Sequence, residues 1–556
     1  MLETKECTLM FYFASDNPLA ISVVSQLKAI KAAGFHKQAN VIVQFDPFTE
    51  GTPTHVFDVN VINKINAKRE SQTEFDNDDP FVMNLIDDKL WNGERTRNGK
   101  FVKKAISELV KGYDPPEPPV GRETINGENL EFGPQRSLQR FLEFCSYAYP
   151  AKHYMLFILG HGVVVGNDVF LFDENADEHS LKLATLGNIL RNFSADVKLG
   201  GGSFDLLGFH SCSVSSLEVA YELQDTATYM LASQGTAFVG SWPYRQMLRR
   251  VFSALDGLSK NAELNGQTLK EMLTDLFFFC MHNSTDFLLA GYPFDLSLCD
   301  LSKIGTIREP MNNLSKALVR GLEDRRCVDM IVLAHWRAQS FYQEMYTDLY
   351  DFCFCLSEKI TDFAGERTEA LQNLLDACNE VIWALEKERP SRDRRGAEEK
   401  LIMCSEFAGP EYQYAHGLSV YFPWSTPNAD RRILEEYSEY KVSGEEFETT
   451  WLDFIEAYLR ATLREPSRVE QKKPALDGVQ ALYEDKISLV YTQEGPRTSQ
   501  NALDGRGKTD PKDPTGGDCS CPSIKNYPKD IRDRREPKRA GDAVTVGETF
   551  LPTSAA

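Results

Sequence analysis

Two apolar runs of strand length end abruptly in a reactive side chain set among small residues, and this pattern constrains the fold of the chain most. The runs are HYMLFILGHG (153–162), closing on His161, and SFDLLGFHSC (203–212), closing on Cys212. A short continuous apolar run bounded by turn residues reads as a strand buried on both faces. Such strands belong to parallel sheets, whose crossover helices cover both sides. The flanking sequence supplies those helices. CTLMFYFAS (7–15) reads as a strand, AISVVSQLKAIKAAG (20–34) as a helix ended by Gly34, and NVIVQFD (40–46) as a second strand with Asp46 at its end. SLQRFLEFCSYAY precedes the His161 run as a helix, and another helix falls near 183–193. SVSSLEVAYELQD follows Cys212 as a third helix and TYMLASQG as a further strand. This alternation predicts an α/β fold with a mostly parallel central sheet flanked by helices.

The remaining sequence divides by composition. Residues 66–133 are polar and broken by Gly and Pro, as in DPPEPPVGRETINGE, and read as an insertion with one helix, FVKKAISELVKG. Residues 260–390 are largely helical in pattern, interrupted by DFLLAGYPFDLSLC; Asp300 in CDLSKI suits a helix N-cap. HGLSVYFPWS (416–425) reads as a strand and FETTWLDFIEAYLRAT as a late amphipathic helix. From about 490 large apolar side chains are few, so a disordered tail is expected. The expected organisation is a catalytic core over 1–259 containing the 66–133 insertion, helical and strand additions over 260–465, and a C-terminal extension over 466–556.

Charge and cysteine usage narrow the setting. The 61 Lys+Arg against 82 Asp+Glu give a formal charge of −21, which argues against nucleic acid as a partner. No apolar run approaches the ~18 residues that span a bilayer, since LTDLFFFCMHN is broken by Asp275 and His282. MLETKECTLMFYFASDN has no secretory-signal pattern. The 12 cysteines lie scattered in apolar contexts, as buried thiols of a reducing compartment would. The expectation is a cytoplasmic protein without a membrane partner.

The two reactive residues carry the chemistry. In a parallel sheet the strand C-termini form the edge where loops and helix N-termini meet ligands. A strand ending at Cys212 and followed at once by a helix would place the thiol near free backbone N–H groups and the positive helix end, favouring the thiolate. His161, at a neighbouring strand end, could move the protons of an acyl transfer. Gly162 lets a backbone N–H approach a substrate carbonyl, and with the Cys212 N–H it would form an oxyanion hole. Either residue alone is more simply a satisfied core residue. A His followed about fifty residues later by a Cys, both in strand context, favours the functional reading. His210 and Cys212 could ligate a metal as a pair, but no second well-spaced pair accompanies them, so no metal is assigned.

YPAKHYMLFILGHG, DLLGFHSCSVSSLEVAYELQDTATYMLASQ and HGLSVYFP, together with TLMFYFASDNPLA and its Asp16-Asn17 pair, resemble the corresponding segments of the clostripain-like (C11) cysteine peptidases. The resemblance covers most of residues 7–425 in order. It implies a caspase–haemoglobinase fold and an endopeptidase acting on protein or peptide substrates without a metal or other cofactor in the chemical step. By position, it implies His161 as general acid/base, Cys212 as nucleophile and Gly162 as oxyanion donor. It also implies a pocket for Arg or Lys lined by two acids, one two residues before the Cys and one before a W-x-Y segment. Here those places hold His210 and Gly240, and with Gln234 these are the candidate pocket residues. An unpaired cation in a pocket is costly, so a neutral, small or polar P1 residue is expected, or an acidic one if His210 is charged. Many relatives mature by self-cleavage between His and Cys. The matching FDENADEHS has no central Lys or Arg, which leaves the exposed ERPSRDRRGAEE as the better candidate for cleavage by this enzyme or an activating protease, although an inert solvated loop is its simpler reading. Some relatives require Ca²⁺, for which the carboxylates of FDENADEHS are the candidates, although their spacing is not an EF-hand loop. Two rival readings remain open: a catalytically silent module of the same fold serving binding or regulation, and a transpeptidase-type thiol enzyme using the same acyl-enzyme logic.

Overall fold

A computed structural model describes residues 4–15, 17, 19–45, 55–59, 122–125, 128–131, 133–162, 165, 170–171, 173, 179–196, 203–258, 264–283, 293–342, 344–363, 365–386, 400–424 and 431–463. The helix expected at FVKKAISELVKG, most of FDENADEHS, the loop centred on RPSRDRRGAEE and the extension from 466 lie outside the described residues, as does Asp16. The chain forms two compact units. One contains the described residues up to Val214 together with those from Glu222 to Asn283; the other contains Ser215–Tyr221 and the described residues from 293 onward.

The strands of the first unit are β1 (Lys5–Phe13), β2 (Ala39–Phe45), β3 (His55–Asp58), a hairpin of β4 (Arg122–Ile125) and β5 (Glu128–Glu131), β6 (Ala151–Leu159), β7 (Phe204–His210) and β8 (Ala227–Ala232). The sheet runs β8-β7-β6-β1-β2-β3. Every neighbour pair from β8 to β2 is parallel, and β3 closes the edge antiparallel to β2. Helices Ala20–Lys31, Pro134–Ala148, Leu183–Asp196 and Tyr244–Gly257 cover it. This is the mostly parallel, helix-flanked α/β sheet that the sequence predicts.

Burial on two faces explains the continuous apolar runs. In β1, Phe11 meets Tyr244 edge-on at 5.5 Å, whereas its neighbour Tyr12 meets Phe141 of the Pro134–Ala148 helix at 6.0 Å. Successive side chains thus serve opposite helical layers, and neither face can be polar. The Tyr12 side also holds Tyr154, Phe193 and Phe204 in edge-on and stacked contacts of 5.4 and 4.6 Å. On the Phe11 side, Phe11 stacks on Phe157 at 4.9 Å and Phe157 meets Trp242 edge-on at 6.4 Å. Such pairs add about 0.5–1.5 kcal/mol each beyond burial. Gly208, in mid-strand β7, makes this layer possible. A Cβ there would lie 2.6 Å from the Phe157 ring and 3.2 Å from that of Trp242.

The second unit contains β9 (Phe294–Asp300), β10 (Ser340–Phe341), β11 (Tyr346–Asp348), β12 (Ile402–Ala408) and β13 (Ser419–Tyr421). β9 and β12 pair antiparallel, and β10-β11-β13 form a small antiparallel sheet. Asp300 caps the 3₁₀ turn Leu301–Ile307 by accepting from the Ser302 N–H, as the sequence predicts. The helices Arg308–Gly321, Arg325–Arg337, Leu349–Thr361, Glu369–Leu385 and Trp451–Leu463 match the expected helical stretch and the late amphipathic helix. Inside this unit Glu218 is fully buried, accepting from the Tyr421 N–H at 2.9 Å and the Tyr437 hydroxyl at 2.7 Å. Burial raises its carboxyl above the usual range despite these bonds. No described helix is long and apolar enough to cross a membrane.

Candidate active site

β6 and β7 pair in parallel with Leu159 opposite His210. Two residues beyond each strand, the same register sets His161 beside Cys212 at the C-terminal edge of the sheet. The backbone confirms how close the two ends come. A Cβ built on Gly162 would fall 1.8 Å from the Cys212 carbonyl oxygen and 2.9 Å from its Cα. Only a glycine fits there, so the two positions expected to supply oxyanion donors abut. The chain returns to this edge at Leu171, whose N–H donates to the His161 carbonyl at 3.3 Å. Asn17, at the end of β1, is buried and makes a local turn: its amide donates to the Ala14 carbonyl at 3.1 Å, and its Oδ1 accepts from the Leu19 N–H at 2.9 Å.

The thiol itself is almost enclosed. Cys212 is 2% exposed and His161 9%. Cys212 Sγ accepts from the Ala237 N–H at 3.3 Å, and its S–H faces the Ala237 carbonyl at 3.7 Å. The expected helix at the thiol is displaced. β7 stops at His210, residues 211–213 turn with Ser213 in the left-handed region at φ 54°, and the helix Leu217–Leu223 begins only later. Ser213 is held by donating its N–H to the Gly235 carbonyl at 3.0 Å. The Gly235–Ala237 segment, after β8, therefore brackets the nucleophile candidate. Sequence reasoning missed it because its contribution is backbone, and SQGTAF carries no side chain that announces it.

The three candidate pocket residues differ in exposure. Gly240 is exposed in a turn, while Gln234 and His210 have no solvent exposure. His210 points into the aromatic layer. It lies parallel to Trp242 at 4.9 Å, with Nδ1 3.0 Å from the Tyr244 hydroxyl and Nε2 2.6 Å from the Phe238 carbonyl and 3.2 Å from Ser241 Oγ. A carbonyl only accepts, so Nε2 carries the proton and Nδ1 accepts from Tyr244. Burial pushes the ring down to about 4, with the Phe238 bond opposing. The reading of His210 as a charged partner for an acidic side chain is thereby corrected: burial disfavours the charged ring.

A stability consequence follows from that ring. Its folded value lies below the unfolded value near 6.5, so its neutral form contributes stability above pH ~6.5, and this is lost as pH falls towards 4. Denaturant melts followed by tryptophan fluorescence should show a smaller loss between pH 7 and 4.5 in His210→Gln than in the wild type. Equal losses would remove His210 as the cause.

Among the described residues no group of three or more His, Cys, Asp and Glu could hold a metal ion. Of the FDENADEHS carboxylates considered for Ca²⁺, Asp173 is described and buried, its N–H donating to the His179 carbonyl at 2.8 Å.

The clostripain family pattern matches residues 122–458, well over half of the chain and including both strand ends. The chain belongs to the clostripain family. Family membership makes it a cysteine peptidase, a protease whose substrates are proteins or peptides. Clostripain of Hathewaya histolytica is 20% identical to it over 482 residues, covering 79% of this chain and 78% of that protein. Among solved structures, a secreted C11 cysteine protease from Bacteroides thetaiotaomicron in complex with an irreversible peptide inhibitor superposes with a TM-score of 0.43 at 10% identity. The match covers 82% of this chain and 99% of that one. An inactive zymogen C11 protease from Parabacteroides distasonis superposes at 0.41 with 14% identity, over 79% and 98% of the two chains.

Proposed function

We propose that this clostripain-family member is an endopeptidase performing limited proteolysis through a His161–Cys212 dyad. The contact that carries the reading is that of Gly162 with the Cys212 backbone, which seats the two side chains on adjoining strand ends. In the reaction, Cys212 gives its proton to His161 and the sulfur attacks the scissile carbonyl. The oxyanion gathers the N–H groups of Gly162 and Cys212. On collapse, His161 returns the proton to the departing amine, leaving a thioester on Cys212. Water then attacks the thioester carbonyl while His161 takes its proton. The acid is released and the thiol restored.

Selectivity follows from the two replaced positions. Neither the neutral, interior His210 nor the exposed Gly240 supplies a carboxylate, so a cationic P1 side chain would lack its counter-charge at both. The proposal is a preference for neutral P1 residues. Proteome-wide cleavage-site profiling of the wild type against Cys212→Ala tests both statements. Cleavages present only with the wild type and enriched in neutral P1 residues are expected. Identical profiles would refute the dyad, and cleavage confined to Arg and Lys would refute the specificity.

A further inference from the structure

We propose that the backbone N–H of Ala237 is a positioning donor that holds Cys212 Sγ and stabilises its thiolate. This deepens the reading of Cys212 as nucleophile and rests on it. The observation is the 3.3 Å contact from the Ala237 N–H to Sγ, made where the sulfur is only 2% exposed and water can do little of the same work. A thiolate accepts hydrogen bonds more strongly than a thiol, so a fixed N–H at this place favours ionisation. The carbonyl of the same residue, 3.7 Å away, can receive the proton of the neutral thiol but offers nothing to the anion. Ionisation therefore strengthens the bond from the Ala237 N–H and gives up the one to the Ala237 carbonyl.

Three further features support the assignment. The donor is anchored, because two residues earlier the Gly235 carbonyl accepts the Ser213 N–H at 3.0 Å, tying the same segment to the turn that carries Cys212. The sequence-based expectation of a helix N-terminus at the thiol is not met, since the helix starts at Leu217 and has seven residues. A loop amide stands where a helix end was expected. Among the described residues, the titratable side chains placed near this edge include His161, beyond β6, His210, on β7 itself, and the buried Asp173, two residues after Leu171; burial holds His210 neutral.

The test separates the amide from the side chain. Ala237→Pro removes the N–H and Ala237→Gly keeps it. The rate of iodoacetamide alkylation of Cys212, followed by the mass of its peptide, is measured from pH 5 to 10 on the full chain. The expected result is a midpoint roughly one pH unit higher in Ala237→Pro, with Ala237→Gly matching the wild type. Coincident profiles for all three proteins would overturn the proposal. Should Ala237→Pro not fold, the ¹⁵N-labelled Ala237 amide of the wild type is titrated instead. A downfield shift of its proton with rising pH, absent in Cys212→Ala, is expected; the same titration in both would overturn it. Alkylation and amide shifts do not require turnover, so failure here is distinct from a failure of Cys212→Ala to abolish cleavage.

Discussion

Replacing either Cys212 or His161 by alanine is expected to lower kcat by about 10⁴-fold or more, with no further loss when both are replaced. Members of a unit that share one proton lose nearly everything when the first is removed, so their effects do not add. In the proposed dyad the two residues share one proton, a reading supported by the β6–β7 register and the contact of Gly162 with Cys212. The alanine at 212 keeps a small apolar group in an enclosed place but removes the sulfur that accepts from the Ala237 N–H, a cost of about 1–3 kcal/mol that thermal unfolding reads separately. Single-turnover cleavage of a peptide identified by profiling is the measurement. A single variant retaining a tenth of the wild-type rate, or a double variant clearly worse than both singles, would defeat the dyad.

Gly162→Ala should damage the site through the backbone. The added methyl would meet the Cys212 carbonyl oxygen at 1.8 Å and its carbonyl carbon at 2.6 Å, neither of which can rotate away. The strand ends must separate, and the separation moves an oxyanion donor away from the developing charge. Losing one such donor costs about 10²–10³ in kcat, and misplacement of the dyad adds to it. The overpacking itself should cost about 1–3 kcal/mol. Kinetics and thermal unfolding of one preparation check both. An enzyme of wild-type activity would show that the approach of residue 162 to Cys212 does not hold the catalytic geometry.

Much of this fold was legible because the strands are buried on both faces. β1, β6 and β7 stand out as unbroken apolar runs, and His161 and Cys212 stand out because they end two of them. β12 escaped, since its second half, SEFA, turns partly exposed and breaks the run. The helix after Cys212 was read too early. Ser213, in the left-handed region, first turns the chain, and no local signal in SCSVSS announces that conformation. His210 illustrates a different limit. Its type and its place before Cys212 were plain, but its tautomer and neutrality come from Phe238, Tyr244 and Trp242, some thirty residues away.

By itself, then, the sequence determined the α/β class, the strand ends and the two candidate reactive side chains, because apolar periodicity and small flanking residues are local properties. It also placed His210 and Gly240 where the family resemblance implies the two acids of an Arg/Lys pocket. Only the tertiary structure decided that residue 162 abuts Cys212, that His210 is a neutral interior ring, and that the amide of Ala237 donates to the thiol. Each depends on strand register and on backbone groups that every residue type carries alike, and so leaves no mark in the order of side chains.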